Sequence, residues 1–327
     1  MLDGLLNYCK ITNTPIDFLS WYCYTNDPNN IVSIGNSIQK TLNTCGYNNI
    51  ESHCTEWASS PVGFSHTFTK VQSTTSASFI ATILIYMQYC KVNRAYYYRG
   101  GGSSFGLFND QSNPTNPAHK NFCNYAAQCF NLFTRMFETP YLLTQDNDFS
   151  TGLTTLVGEN EAGNKINILA ANYEIDLVFG NPLMSPEGPL NQQYYLDTNR
   201  TVNQLNDDWS KEHWFGGIDP NTVIYNNLVH QRPYVSRTPL TVFPPRREQN
   251  NTLSRTGLNI TIRNIANSFR NYKITAYRIK EGGRLDRMIP EEETTSISSS
   301  FSNGVLNITD RGALPSTVTL YTIDFTG

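Results

Sequence analysis

The stretch Ile16 to Tyr24 (IDFLSWYCY) constrains the fold most, because it is of strand length and apolar on both faces. Such a strand suits a parallel sheet, whose helical crossovers cover both sides. Its flanks agree. Leu2, Leu5, Leu6 and Cys9 recur at helical spacing and stop before Pro15. After the turn Asn26-Asp27-Pro28 a second stripe runs through Ile31, Ile34, Ile38, Leu42 and Cys45, and Gly46 supplies the stop. Ile50 to Trp57 (IESHCTEW) is the next strand, Ser76 to Val92 a long helix and Ala95 to Tyr98 a short strand. A loop rich in Gly, Ser, Asn and Pro spans Arg99 to Pro117, and Ala118 to Phe137 is a further amphipathic helix. This order predicts right-handed crossovers, in an open doubly wound sheet or a closed barrel. No G-x-G-x-x-G or G-x-x-x-x-G-K-[ST] follows any strand, so a nucleotide site has no support.

The rhythm changes near residue 140. Thr154 to Val157, Lys165 to Asn172, Leu258 to Ile265, Tyr272 to Ile279, Val305 to Thr309 and Thr317 to Asp324 alternate between turns, as in an antiparallel sandwich. The division predicted is thus an α/β domain over 1–140 and a β-sandwich over 141–327, with a long insert near 181–250. The insert carries Trp209, Trp214 and Phe215, which suit packing onto a domain surface.

Composition excludes some function classes. With 24 basic and 27 acidic residues among 327, the chain lacks the clustered positive charge that nucleic acid requires. Its longest apolar stretch, Phe79 to Tyr89, falls short of the ~20 residues that span a bilayer, and Met1-Leu2-Asp3-Gly4 does not open a signal peptide. The seven cysteines all lie between Cys9 and Cys129 with no C-x-x-C pair, which favours buried thiols, a disulfide or two being the alternative. The histidines lack zinc-ligand spacing, so no metal is expected. Sequons at Asn199, Asn250, Asn259 and Asn307 fit a secretory-pathway protein.

Glu56 is the candidate for chemistry. It ends the second strand, just before the loop Ala58-Ser59-Ser60-Pro61, and catalytic side chains of β/α barrels stand at that end. Alternation puts Ser52, Cys54 and Glu56 on one face. The ordinary reading of such a glutamate is a solvated strand end. Three neighbours favour a sugar site instead. The preceding strand ends in Trp21-Tyr22-Cys23-Tyr24, the following one in Tyr96-Tyr97-Tyr98-Arg99, and the loop Phe105 to Asp110 joins them. Tyrosine hydroxyls there can bond a carboxylate or a sugar hydroxyl. A thiol nucleophile at Cys54 would need a basic partner, and none lies nearby in sequence.

These segments carry a resemblance. Pro15 to Tyr24, Asp27-Pro28 and Ser52-His53-Cys54-Thr55-Glu56-Trp57 are similar to the sixth and seventh barrel strands of glycoside hydrolase family thirty-nine, which contains β-xylosidases and α-L-iduronidases. Gly106-Leu107-Phe108 and the helix after it resemble the eighth unit. The resemblance covers residues 1–140 and implies the last three β/α units of a (β/α)8 TIM barrel, followed by a sandwich. It implies retaining hydrolysis of O-glycosidic bonds with Glu56 as nucleophile, substrate contacts from Tyr22, Tyr24, Trp57 and Tyr98, and no cofactor, since two carboxyls suffice. Tyr22 departs from the family, which has histidine there, and Arg99 receives no role.

The second carboxyl is missing. In the family it belongs to an Asn-Glu pair on the fourth strand, which would precede Met1; Asn160-Glu161 lies in a predicted hairpin turn, and Asp27 and Asp110 sit in turns. The expected partners are therefore a carbohydrate and the remaining N-terminal barrel half, because three parallel strands alone leave an edge and a face uncovered. The alternatives are a non-catalytic sugar-binding protein, an inactive fragment, or a structural sandwich with a barrel remnant.

Overall fold

The computed structural model describes residues 2–25, 28–59, 73–101, 106–108, 123–145, 153–173, 257–266, 268–269, 271–293 and 295–326. The insert near 181–250, Asp27, Phe105, Asp110, Asn199 and Asn250 lie outside them.

Helix α1 (Leu2–Thr12) leads to strand β1 (Phe18–Tyr24), helix α2 (Pro28–Thr44), strand β2 (Glu51–Ala58), helix α3 (Thr74–Met87), strand β3 (Arg94–Tyr97) and helix α4 (Tyr125–Thr134). A 3-10 turn over Arg135–Glu138 extends α4. The strands form a parallel sheet in the order β1-β2-β3, as the apolar runs predict. Helix α3 ends five residues before the expected Val92. It has no charged residue and is buried almost all round, which marks a helix covered on every side rather than an amphipathic one. Two of its hydroxyls turn back onto its own carbonyls, Ser78 Oγ to Thr75 O and Thr82 Oγ1 to Ser78 O, both at 2.8 Å, so these two are buried without loss of a partner.

Helix α3 is covered on one side by β2, α2 and α4 and on the other by the second half of the chain. Strands β4 (Tyr141–Leu142), β5 (Leu153–Glu159), β6 (Lys165–Asn172), β7 (Leu258–Ile262), β8 (Asn271–Ile279), β9 (Glu291–Glu292), β10 (Ile297–Ser302), β11 (Val305–Asp310) and β12 (Thr317–Thr326) build two antiparallel sheets. One has the order β4-β5-β6-β12-β8-β9 and the other β10-β11-β7. Ile166, Ile168, Ala276, Tyr321 and Ile323 of the larger sheet face Leu258, Leu306 and Ile308 of the smaller one. From its other face Leu169, Ala171, Ile279, Val318 and Leu320 enter one core with α3, α4, Trp57 and Cys54. The element type changes at residue 141, but this core runs across that point. Burial on both faces explains why β6 and β12 read as near-continuous apolar runs although their pairing is antiparallel.

Strand β10 (ISSSFS) is absent from the sequence reading because its serines look like loop. It forms through the turn Asn303-Gly304, whose φ values of 49° and 71° are both positive, as a two-residue hairpin turn requires. The cysteines match the buried-thiol expectation. None of the seven is in a disulfide, and all but Cys90 are buried. No helix among the described residues is long and apolar enough to cross a membrane.

Candidate active site

The register of β1 on β2 decides where Glu56 points. Phe18 pairs with Glu51 and Trp21 with Cys54, but Tyr22 pairs with Glu56, so β2 carries one extra residue. A β-bulge of this kind re-aims the side chains that follow it. Before the bulge Ser52 and Cys54 are buried; after it Thr55 and Glu56 are both exposed and Trp57 and Ala58 are buried. The expectation that Ser52, Cys54 and Glu56 share one face is therefore corrected. Cys54 enters the helix-covered core, and Glu56 is delivered to the open face, with Tyr22 directly across from it. Regular pairing would have buried the carboxylate and exposed the indole.

Trp57 is corrected by the same bulge. Only 1% exposed, it packs its ring against Tyr97 at 5.1 Å and Phe130 at 6.2 Å between centroids. It anchors the strand end and offers no open face to a ligand.

The other three expected contacts surround Glu56. Tyr24 Oη donates to Glu56 Oε2 at 2.9 Å. The Tyr24 hydroxyl is held well above the usual phenol range, first by burial and then by its bond to Glu56 and that group's charge. It stays protonated at neutral pH and acts on the carboxylate as a donor. Tyr98 meets Tyr24 edge-on at 6.2 Å, and Tyr22 lies 6.5 Å from Tyr24 on the other side, 71% exposed. Arg99 Cζ sits 5.8 Å from the Tyr98 ring centre. Backbone bonds hold the arrangement, Thr25 N to Ala58 O at 3.2 Å and Tyr98 N to Trp57 O at 3.0 Å. Gly106-Leu107-Phe108 extends it, with Leu107 N on Arg99 O and Phe108 N on Gly100 O. The result is a solvent-facing carboxylate held by one phenol and flanked by two more rings.

The sheet's other end carries a cluster that the sequence did not reveal. Glu51 lies between His53 Nε2 (2.7 Å) and Arg94 Nε (3.1 Å), and His53 stacks on Phe18 at 4.5 Å. Spacing of i and i+2 in β2 was the signal. Hydrogen bonds from His53, the larger cause, and from Arg94 hold the Glu51 carboxyl below the usual carboxylate range. Glu51 and Glu56 are the only acids on β1 to β3, and five strand residues place them about 15 Å apart. They cannot form the pair about 5–5.5 Å apart that retaining glycosidases use. Thiol chemistry has no support either, because burial pushes Cys54 up to about 12. Among the described residues no group of three His, Cys, Asp or Glu side chains is placed to hold a metal.

No family model matches the chain, and no curated protein matches it. Solved structures do. A glucosidase from Croceicoccus marinus matches 99% of this chain and 57% of its own, at 18% identity and TM-score 0.62. A monomeric β-xylosidase from Caulobacter crescentus matches 99% and 59%, at 12% identity and TM-score 0.52. The GH39 enzyme from Xanthomonas axonopodis pv. citri matches 98% and 57%, at 13% identity and TM-score 0.51. The chain therefore shares the fold of glycoside hydrolases and spans less than two thirds of the length of these three.

Proposed function

We propose that this chain is the rear part of a retaining glycoside hydrolase of the family thirty-nine type, with Glu56 as its nucleophile. The observation that carries the reading is the bulge, which turns Glu56 out to the open sheet face and under the Tyr24 hydroxyl. In this reading β1, β2 and β3 are the last three strands of the barrel. Glu56 attacks the anomeric carbon, a glycosyl-enzyme ester forms, and water later cleaves it. The Tyr24 donor positions the carboxylate, and Tyr22 and Tyr98 offer ring faces and hydroxyls to the sugar.

The general acid belongs, in this proposal, to barrel units outside these 327 residues. Phe18 at 50%, Tyr22 at 71% and Tyr96 at 49% exposure leave the open face apolar enough to need such a cover. Glu56 is the one carboxylate at this strand end among the described residues, which also favours a second reading, a sugar-binding protein without turnover. Aryl glycosides with a dinitrophenolate leaving group separate the two, because that group departs without protonation. Release of phenolate by the chain, abolished in Glu56→Gln, is expected. Full release by Glu56→Gln sinks the nucleophile; sugar binding with no release by the parent chain favours the second reading.

A further inference from the structure

Two of the four sequons lie within the described residues, and they lie on each other. Asn259 and Thr261 are on β7, Asn307 and Thr309 on β11. The strands are antiparallel, with Asn307 opposite Thr261 and Thr309 opposite Asn259. Each threonine reaches across to the other sequon's asparagine: Thr261 Oγ1 donates to Asn307 Oδ1 at 3.0 Å and Thr309 Oγ1 to Asn259 Oδ1 at 2.9 Å. Both asparagines are exposed on the outer face of the small sheet, while Leu258, Leu306 and Ile308 fill its inner face.

These bonds use the amide oxygens, and no hydrogen bond among the described residues takes either Nδ2. Nδ2 is the atom that carries an N-linked glycan. Attachment there removes one unused N–H from each asparagine and no hydrogen bond of the sheet. The rest of the face is suited to sugar. Ser298 and Ser300 of β10 continue the two cross-strand rows, and the only charged residue of the three strands, Asp310, is buried on the inner side.

The position of β7 adds a second reason. Among the described residues it is an edge strand of the order β10-β11-β7, and its sequence LNITI has neither charge nor proline. Proteins ordinarily protect such an edge with lysine, proline or a bulge, since unpaired N–H and C=O groups recruit another strand. A glycan on Asn259 would give this edge the cover its residues lack.

We infer that Asn259 and Asn307 are both N-glycosylated and together form one glycan-bearing face. The donor is a polyprenyl-diphosphate-linked oligosaccharide. The amide nitrogen attacks its anomeric carbon, the Nδ2–C1 bond forms, and the C1–O bond to the diphosphate breaks. The electron pair leaves with the diphosphate, and one Nδ2 proton passes to a base of the transferase. This modification does not depend on any hydrolytic role for Glu56, but it rests on the reading of the chain as part of a longer protein that enters the secretory pathway.

The test is peptide mass mapping of the full chain made by its own source organism, with and without a glycan-releasing amidase that converts glycosylated Asn to Asp. Conversion at both 259 and 307 is expected. A population in which either residue is wholly unmodified overturns the two-glycan face, whatever the state of Asn199 and Asn250. Variants made in the same source separate sequon chemistry from the strand ladder. Thr261→Ala is expected to remove the glycan of Asn259 although its hydroxyl bonds Asn307, Thr309→Ala to remove that of Asn307, and Thr261→Ser to keep both. Loss of the opposite glycan in either alanine variant would contradict the inference. The readout is a mass and does not depend on correct folding.

Discussion

The two sheets flanking α3 are built to opposite ends. The six-stranded sheet is buried on both faces along its central strands β6 and β12, and Arg278 beside them on β8 is closed off. Arg278, 3% exposed, donates to Asp310, Ser296 and Thr319, and Asp310 also accepts from Tyr321, Ser296 and Gly312 N. Burial and the Asp310 charge together raise the Tyr321 hydroxyl far above its ordinary range. The three-stranded parallel sheet is buried on one face only. On the other it leaves Phe18, Tyr22 and Tyr96 half-exposed or more, and Glu56 with a single phenol. Stability is concentrated where the Arg278–Asp310 pair is closed off with its hydrogen-bond partners, and reactivity is available where one carboxylate is left to the solvent side. Helices α3 and α4 connect the two, so the open sheet borrows its rigidity from the sandwich.

The comparison breaks if the open face of the parallel sheet proves as costly to alter as the closed regions. Asp310→Ala removes the anion beside a buried guanidinium and is expected to cost about 3–5 kcal/mol in urea unfolding. Trp57→Ala should cost a similar ~3–5 kcal/mol, because its ring is core although it sits beside Glu56 in sequence. A loss within ~0.5 kcal/mol for Trp57→Ala would return the indole to the surface. Tyr24→Phe deletes one hydrogen bond to a charged group, worth about 1.5–3 kcal/mol. In the proposed enzyme it should lower kcat roughly 10- to 100-fold with little change in fold by circular dichroism. Unchanged kcat would separate Tyr24 from the chemistry.

A smaller effect concerns pH. Glu293 is held down to about 2, first by the Lys280 bond and then by Thr295. Its folded value lies below its unfolded one, so its contribution is complete above the ordinary carboxylate value of 4.5 and fades as pH falls from there towards 2. Lys280→Met should flatten the pH dependence of Tm across that window. Smallest of all, Tyr22→Ala should shift stability by no more than ~0.5 kcal/mol, since its ring meets solvent.

Much of this was legible in the residues. Apolar runs and helical stripes gave the order of α1 to β3, and alternation gave β5 to β8, β11 and β12. Glu56 and Tyr24 were found from their places at adjacent strand ends, and the hydrogen bond joins them. The bulge was not found, because strict alternation assumes regular pairing. Its trace is the sequence Thr55-Glu56-Trp57-Ala58, two polar residues followed by two apolar ones, which no period of two can place. That omission put Cys54 on the wrong face, whereas Trp57 was placed at the ligand by the resemblance alone. Strand β10 was missed because serine is a poor strand signal, although Asn303-Gly304 beside it is a strong hairpin one. The Arg278–Asp310 network was beyond reach, since 32 residues separate partners that only the two sheets bring together.

Covalent trapping tests the central claim most directly. A panel of 2-deoxy-2-fluoro glycosides with dinitrophenolate leaving groups is incubated with the chain, because the fluorine slows breakdown of a glycosyl ester and the leaving group needs no acid. The account predicts a sugar adduct on the peptide containing residues 51–58, localised to Glu56 by fragmentation and absent from Glu56→Gln. An adduct on another carboxylate, or none in the parent chain across α- and β-xylosides, glucosides and iduronides, would contradict it.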